Sequence, residues 1–185
     1  MPRRVLVMGF GPFLTITDNP AARVAREIDG LTRGGVVFVG RIMPVSFDRA
    51  VSETLAAVEE IRPIALVGIG VARSRSVVTI EAIGRNIADG ETPDVDGQCR
   101  VQLESDGPDQ RAVTLPSLQL ASRLGAVVGY DAGRYVCNAW LYQMLQTSHS
   151  GLPTGFIHIP PAGLQASRLA DALADIEGMN HGTEL

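Results

Sequence analysis

Apolar residues fall in short blocks separated by glycine, proline and acidic residues, and the period of the blocks alternates along the chain. Residues 5–8 are a continuous apolar run that stops at Gly9, the pattern of a strand buried on both faces. After the loop GFGPF and the polar TITD, the segment AARVAREI follows Asn19 and Pro20, which predicts a helix capped by Asn with Pro in its first turn. Residues 36–43 predict a β-branched strand closed by Pro44. Ala50, Val51, Leu55, Val58 and Ile61 recur at helical spacing, so a helix is expected over 48–61, ended by Pro63. Residues 64–69 predict a second buried strand.

The second half is less regular. Residues 76–83 alternate Val, Ile and Thr well enough for a strand or hairpin. Residues 88–110 are rich in Asp, Glu, Gly and Pro, which predicts an exposed loop with a short strand at 100–103. Helices are expected at 118–124, 137–147 and 164–176, and a strand at 155–161 stopped by two prolines. Strands alternating with helices imply an α/β fold with a layered sheet. Its buried strands are expected to pair in parallel, with residues 76–83 adding antiparallel pairing. No internal repeat or low-complexity linker interrupts the 185 residues, so residues 1–185 are expected to form a single domain.

Composition narrows the chemistry. Basic and acidic residues number 16 and 20, giving a net charge of −4, and every basic residue is arginine. The absence of lysine excludes a Schiff-base or P-loop lysine. Scattered arginines on an acidic chain do not make a nucleic-acid footprint, so no nucleic-acid partner is expected. No apolar stretch approaches the roughly 18 residues of a membrane span, and the N-terminal MPRRVLVMGF reads as a strand and not as a signal peptide. A cytoplasmic location with reduced thiols and no membrane partner is the resulting expectation. The two cysteines, far apart and without a CxxC pair, can form neither a disulfide framework nor a four-ligand zinc site.

With Cys99 and Cys137 against His149, His158 and His181, few nucleophile–base pairs are possible. Cys99 lies among acidic neighbours that disfavour a thiolate. Cys137 follows Tyr135 and Val136 and opens a predicted helix, where free N–H groups and the macrodipole favour an anion and lower the thiol pKa. A small buried hydrophobe is the commoner role of a lone cysteine. His149 stands at a predicted helix end and His181 in a polar tail. His158 sits between Ile157 and Ile159 in a predicted strand, either as a core residue or as a rigidly held base. Glu81 interrupts the apolar run VVTIEAIG, and a buried glutamate needs an imidazolium or arginine partner. Phe10 and Phe13 sit at the carboxyl end of the first strand, where they either grip a flat ligand or plug the sheet. The loops GFGPFL and GIGVAR lack the third glycine of a dinucleotide fingerprint.

Glu81, Cys137 and His158, in that order, give the chain its resemblance to the pyroglutamyl-peptidase I family of cysteine peptidases. The likeness also takes in Gly9-Phe10-Gly11-Pro12-Phe13 with Asn19-Pro20, then Gly70, Ala72, Arg75 and Glu81, and then Asn86, Asp89, Pro93, Asp94 and Gly97. It continues in Ala132-Gly133 with Cys137-Asn138, and in Gly155-Phe156 with His158 and Pro160. The resemblance implies a three-layer α/β/α sandwich around a twisted, mostly parallel (mixed) sheet. It implies removal of N-terminal pyroglutamate from peptides, with no metal or organic cofactor, by a protein assembled as a homotetramer. By position, Cys137 is the nucleophile, His158 the base and then the acid, and Glu81 the residue that orients the imidazole. Phe10 and Phe13 would sandwich the lactam ring, with Asn19, Thr92, Tyr135 and Val136 as further substrate-binding residues.

The chain departs from that family at several places. Glu91 stands for a common arginine and Thr92 for an apolar contact. Leu14-Thr15 replace a glycine pair, and Asp131 replaces a serine. An inward-pointing Glu91 would disfavour the Cys137 thiolate and repel an oxyanion; Arg73 and Arg85 are the nearby cations that could offset it. A shifted acyl specificity, or a binding protein of the same fold without turnover, are the alternatives these departures raise.

Overall fold

The computed structural model describes residues 2–147 and 151–176. In chain order these form β1 (Arg3–Phe10), α1 (Pro20–Ile28), β2 (Thr32–Arg33), β3 (Val36–Met43), α2 (Arg49–Ile61), β4 (Ala65–Val71), β5 (Thr79–Glu81) and β6 (Ile83–Arg85). They continue with β7 (Gln110–Ala112), α3 (Ser117–Leu124), β8 (Val127–Gly129), α4 (Val136–Thr147), β9 (Thr154–Ile159) and α5 (Ala166–Ala174). The main sheet has the order β2-β3-β1-β4-β9-β5-β8. Its inner pairs β1/β3, β1/β4 and β4/β9 are parallel, while β5 runs antiparallel to β9 and parallel to β8. The expected mixed, mostly parallel sheet is therefore present; residues 79–81 add antiparallel pairing as expected, and the edge strand β2 adds a second antiparallel pair against β3.

The continuous apolar runs became the strands covered on both faces. Along β1, Val5 and Val7 point to one core with Ile28, Leu120 and Leu169, whereas Leu6 and Met8 point to another with Ile61, Trp140 and Leu141. This two-residue alternation puts α1, α3 and α5 on one face and α2 and α4 on the other, giving three layers. Trp140 is fully buried, and its indole N–H donates to Thr54 Oγ1 at 2.9 Å, so α2 and α4 are joined without leaving the donor unpaired. Asn19 and Pro20 start α1 as expected, with the Asn19 side chain accepting from Ala21 N–H at 3.0 Å.

Other expectations need correction. No strand forms at 100–103; that segment is held instead by Ala88 N–H on Val101 O, and by the Asn86 side chain, which accepts from the N–H groups of Leu103 and Glu104. Of the strand or hairpin expected in 76–83, the strand is present as β5 in the main sheet, and the hairpin is not, since β6 pairs with β7 in a separate two-stranded sheet. The loop 88–110 is anchored internally, since Ala88 and Asp94 are buried. Leu14 adopts φ 46° in the turn closed by Phe13 and Ile16, a left-handed conformation that costs a residue with a Cβ about 1–2 kcal/mol. Among the described residues no helix is long and apolar enough to cross a membrane.

Candidate active site

β4 and β9 bring two of the three expected residues together. In their parallel register His158 lies opposite Gly70, and a Cβ built on Gly70 would fall 2.8 Å from Cys137 Sγ and 2.9 Å from the Phe156 ring. Adjacent strands are about 4.8 Å apart, so the thiol rests on bare backbone one strand away from His158. Any side chain at position 70 would displace it. The Phe156 and His158 rings lie 5.0 Å apart, edge to face, on the same side of the sheet. β5 contributes the carboxylate: Glu81 Oε1 is 2.7 Å from His158 Nδ1, and Glu81 is fully buried. With Nδ1 engaged, Nε2 is the ring nitrogen left for the thiol.

The loop before α4 is fastened from several sides. Gly133 N–H donates to Asp131 Oδ1, Asp89 N–H to Arg134 O, and Tyr135 Oη–H to Pro93 O. Asn138, fully buried, accepts from Arg85 N–H at 2.8 Å and donates to the carbonyls of Arg85 and Ile87. These bonds fix the first turn of α4, and with it Cys137. The helix N-terminus does not control the thiol in the way local sequence suggests. Burial first, and then the Glu81 charge, push the Cys137 pKa up to about 12, against the lowering effects of its own backbone N–H and of Arg75. Cys137 is half-buried by its surface, and burial and the Glu81 charge both favour the protonated thiol.

The two phenylalanines do not face each other as a closed pair. Phe10, at 2% exposure, packs on Phe156 with ring centroids 6.2 Å apart. Phe13 is partly exposed and packs on Tyr135 at 6.2 Å, and Tyr135 in turn meets Phe47 edge-on at 5.8 Å. One ring cluster thus adjoins His158, and the other contains Tyr135, two positions before Cys137. Asn19 is 1% exposed and donates to Gly11 O at 2.8 Å, so it braces the loop from behind. Val136 is fully buried and faces the core, which leaves only its backbone for a ligand. Thr92 is partly exposed, with its N–H on Asp89 Oδ1. Asp89 lies below the usual carboxylate range because it accepts from the Thr92 and Glu91 N–H groups. Glu91 is exposed, and the charges acting on Cys137 are those of Glu81 and Arg75. Among the described residues no three His, Cys, Asp or Glu side chains converge as a metal site.

A sequence model of the pyroglutamyl peptidases matches residues 3–173. The chain belongs to the pyroglutamyl peptidase family. It is 35% identical over 168 residues to the pyrrolidone-carboxylate peptidase of Thermococcus litoralis, covering 85% of this chain and 76% of that one. With the Klebsiella pneumoniae enzyme of the same name it is 34% identical over 172 residues, covering 88% and 80%. Among solved structures, pyroglutamyl peptidase I from Bacillus amyloliquefaciens superposes with a TM-score of 0.85 at 26% identity, covering 94% and 92%. The Thermococcus litoralis pyrrolidone carboxyl peptidase gives 0.84 at 30% identity, covering 93% and 90%.

In this pyroglutamyl peptidase family member the cation beside Glu81 is Arg75, and not Arg73 or Arg85, the two expected to offset Glu91. Arg73 reaches Thr15 Oγ1 from an exposed position and the half-buried Arg85 reaches Tyr130 O, while Arg75 Nη1 lies 2.6 Å from Glu81 Oε1. Glu81, inside an apolar strand, was expected to need an imidazolium or arginine partner, and nothing in the sequence around it points to Arg75 as that arginine. Phe47, which backs Tyr135, carried no local signal either. Cys99 is exposed, with its thiol 3.5 Å from Glu91 O. His149 and His181 lie outside the described residues.

Proposed function

We propose that this chain removes the N-terminal pyroglutamyl residue from peptides through a thioester on Cys137. The observation that carries the reading is the arrangement of Glu81, His158 and Cys137, a carboxylate on Nδ1 and a thiol seated on Gly70 beside the imidazole. His158 Nε2 takes the Sγ proton as sulfur bonds to the acyl carbon. It then returns that proton to the leaving amine as the C–N bond breaks. Water, deprotonated by the same nitrogen, attacks the thioester and releases pyroglutamate, and the proton goes back to Sγ. Burial and the Glu81 charge favour the protonated thiol, which gives His158 the part of a base in this reading. Free N–H groups in the first turn of α4 supply the oxyanion donors.

The substrate pocket in this reading lies between the two ring clusters. Phe13 and Tyr135 offer ring surface, Phe10 backs the pocket from the core, and Asn19 holds the Gly11 carbonyl and hence the loop. Thr92 and the Val136 backbone complete the pocket. Both cores share one sheet, which supports a single domain over residues 1–185. A homotetramer in the cytoplasm, working on peptides without metal or organic cofactor, completes the proposal; its support is the family. The test is hydrolysis of fluorogenic amides under reducing conditions at pH 6–9. Turnover of the pyroglutamyl amide in preference to the prolyl and glutamyl amides is expected. Preference for another acyl group, or no turnover of any, would contradict it.

A further inference from the structure

The guanidinium of Arg75 is the least accounted-for part of the site. Its Nη1 lies 2.6 Å from Glu81 Oε1, the oxygen already 2.7 Å from His158 Nδ1, and its Nη2 donates to Asp131 O at 2.6 Å. Glu81 Oε2 is buried and has no hydrogen-bond partner. It faces Gly129, where a Cβ would come within 2.7 Å of Oε2 and 3.3 Å of Arg75 Nη1. Glu81 is fully buried, the His158 side chain is 6% exposed and the Arg75 side chain 25%, so Arg75 is the member of the group with the most contact with solvent. The groups facing Glu81 are Arg75 from the β4–β5 loop and His158 from β9, while its charge also acts on Cys137 from α4. β8 contributes only backbone at Gly129, and Asp131 turns its carboxylate to Gly133 N–H.

We propose that Arg75 is a positioning residue that holds Glu81 ionised and thereby fixes His158 with its proton on Nδ1 and its Nε2 lone pair toward Cys137. A buried carboxylate needs a compensating charge, and a neutral imidazole supplies none. Without Arg75 the site takes up a proton in one of two ways. A protonated Glu81 would donate to Nδ1, putting the ring proton on Nε2. A protonated His158 would carry protons on both nitrogens. Either state removes the acceptor that the thiol requires. The second guanidinium arm links this control to the loop that leads into α4, so one side chain ties the orienting carboxylate to the nucleophile's segment.

The inference rests on the proposed peptidase reading, and two measurements keep their failures apart. The first is the pH profile of kcat/KM for the pyroglutamyl amide with wild type, Arg75→Gln and Arg75→Lys. For Arg75→Gln the acidic limb should move up by at least about one pH unit, a loss of at least about tenfold at low pH that recovers on the alkaline side, mainly in kcat. Arg75→Lys keeps the charge and should leave the limb in place, with a lower plateau from the lost Asp131 bond. The second needs no turnover: nitrogen NMR of the His158 ring near pH 7, assigned by loss of the signal in His158→Asn. Wild type and Arg75→Lys should show the Nδ1–H form, and Arg75→Gln the Nε2–H or doubly protonated form. A parallel drop across all pH values, or an unchanged ring signal in Arg75→Gln, would overturn the role of Arg75. An inactive wild type with the ring signals as expected would overturn only the peptidase reading.

Discussion

Opposing influences set the charge of Cys137: the start of α4 favours a thiolate, and burial beside Glu81 disfavours it. Scarcity of thiols and imidazoles, and an acidic residue inside an apolar strand, single out Cys137, His158 and Glu81 from the sequence. The sequence also places Cys137 at a helix start, which argues for a lowered thiol pKa. Burial and the Glu81 charge outweigh that effect, because desolvation acts on the whole thiolate whereas the helix terminus contributes partial charges. The consequence is measurable. With a folded pKa of about 12 against an ordinary 9, the native state holds the thiol proton more tightly than the unfolded chain. The resulting stability is complete below about pH 9 and is lost as pH rises toward about 12. Tyr135, raised from 10 to about 12 chiefly by burial, adds a loss of the same sign at the upper end. Urea midpoints followed across the alkaline range should therefore fall more steeply for wild type than for Cys137→Ala. Parallel curves would show that the native thiol titrates normally.

At the scale of elements, the long periodic segments were readable and the short ones were not. The helices at α1, α2 and α4 and the strands β1, β3, β4 and β9 follow from apolar period and from Asn-Pro, Pro and Gly punctuation. β2, β7 and β8 have only two or three residues each, too few to show a period, and their pairing depends on neighbours distant in sequence. The 88–110 loop was correctly polar, but its architecture is made by side chains that tie loop to loop, such as Asn86, Asn138 and Asp94. Composition does not encode such ties. The loop also decides the effect of the reversed charge at position 91. Glu91 is exposed and is not among the charges acting on Cys137, so Glu91→Arg is expected to change kcat/KM by less than about twofold at moderate salt, the range of a screened surface charge. A rise of about tenfold or more would mean that the carboxylate does reach the reacting atoms.

For the whole molecule, topology assembles the site. Phe10, Gly70 and His158 sit at the carboxyl ends of the parallel strands β1, β4 and β9, where open α/β sheets present their crevices. β5 runs the other way beside β9 and supplies Glu81 diagonally across from His158. α4 then lays Cys137 over Gly70 from the second layer. These residues are far apart in sequence, and only the strand order β1-β4-β9-β5 makes them neighbours. In the proposed reaction Cys137, held in this arrangement, is the nucleophile. The most direct measurement is turnover of a fluorogenic pyroglutamyl amide by Cys137→Ala and Cys99→Ala, alongside wild type and with melting curves to verify folding. Cys99→Ala should keep the wild-type rate within about twofold, and Cys137→Ala should lose at least about a thousandfold. Activity that survives Cys137→Ala, or that disappears in Cys99→Ala, would contradict the account.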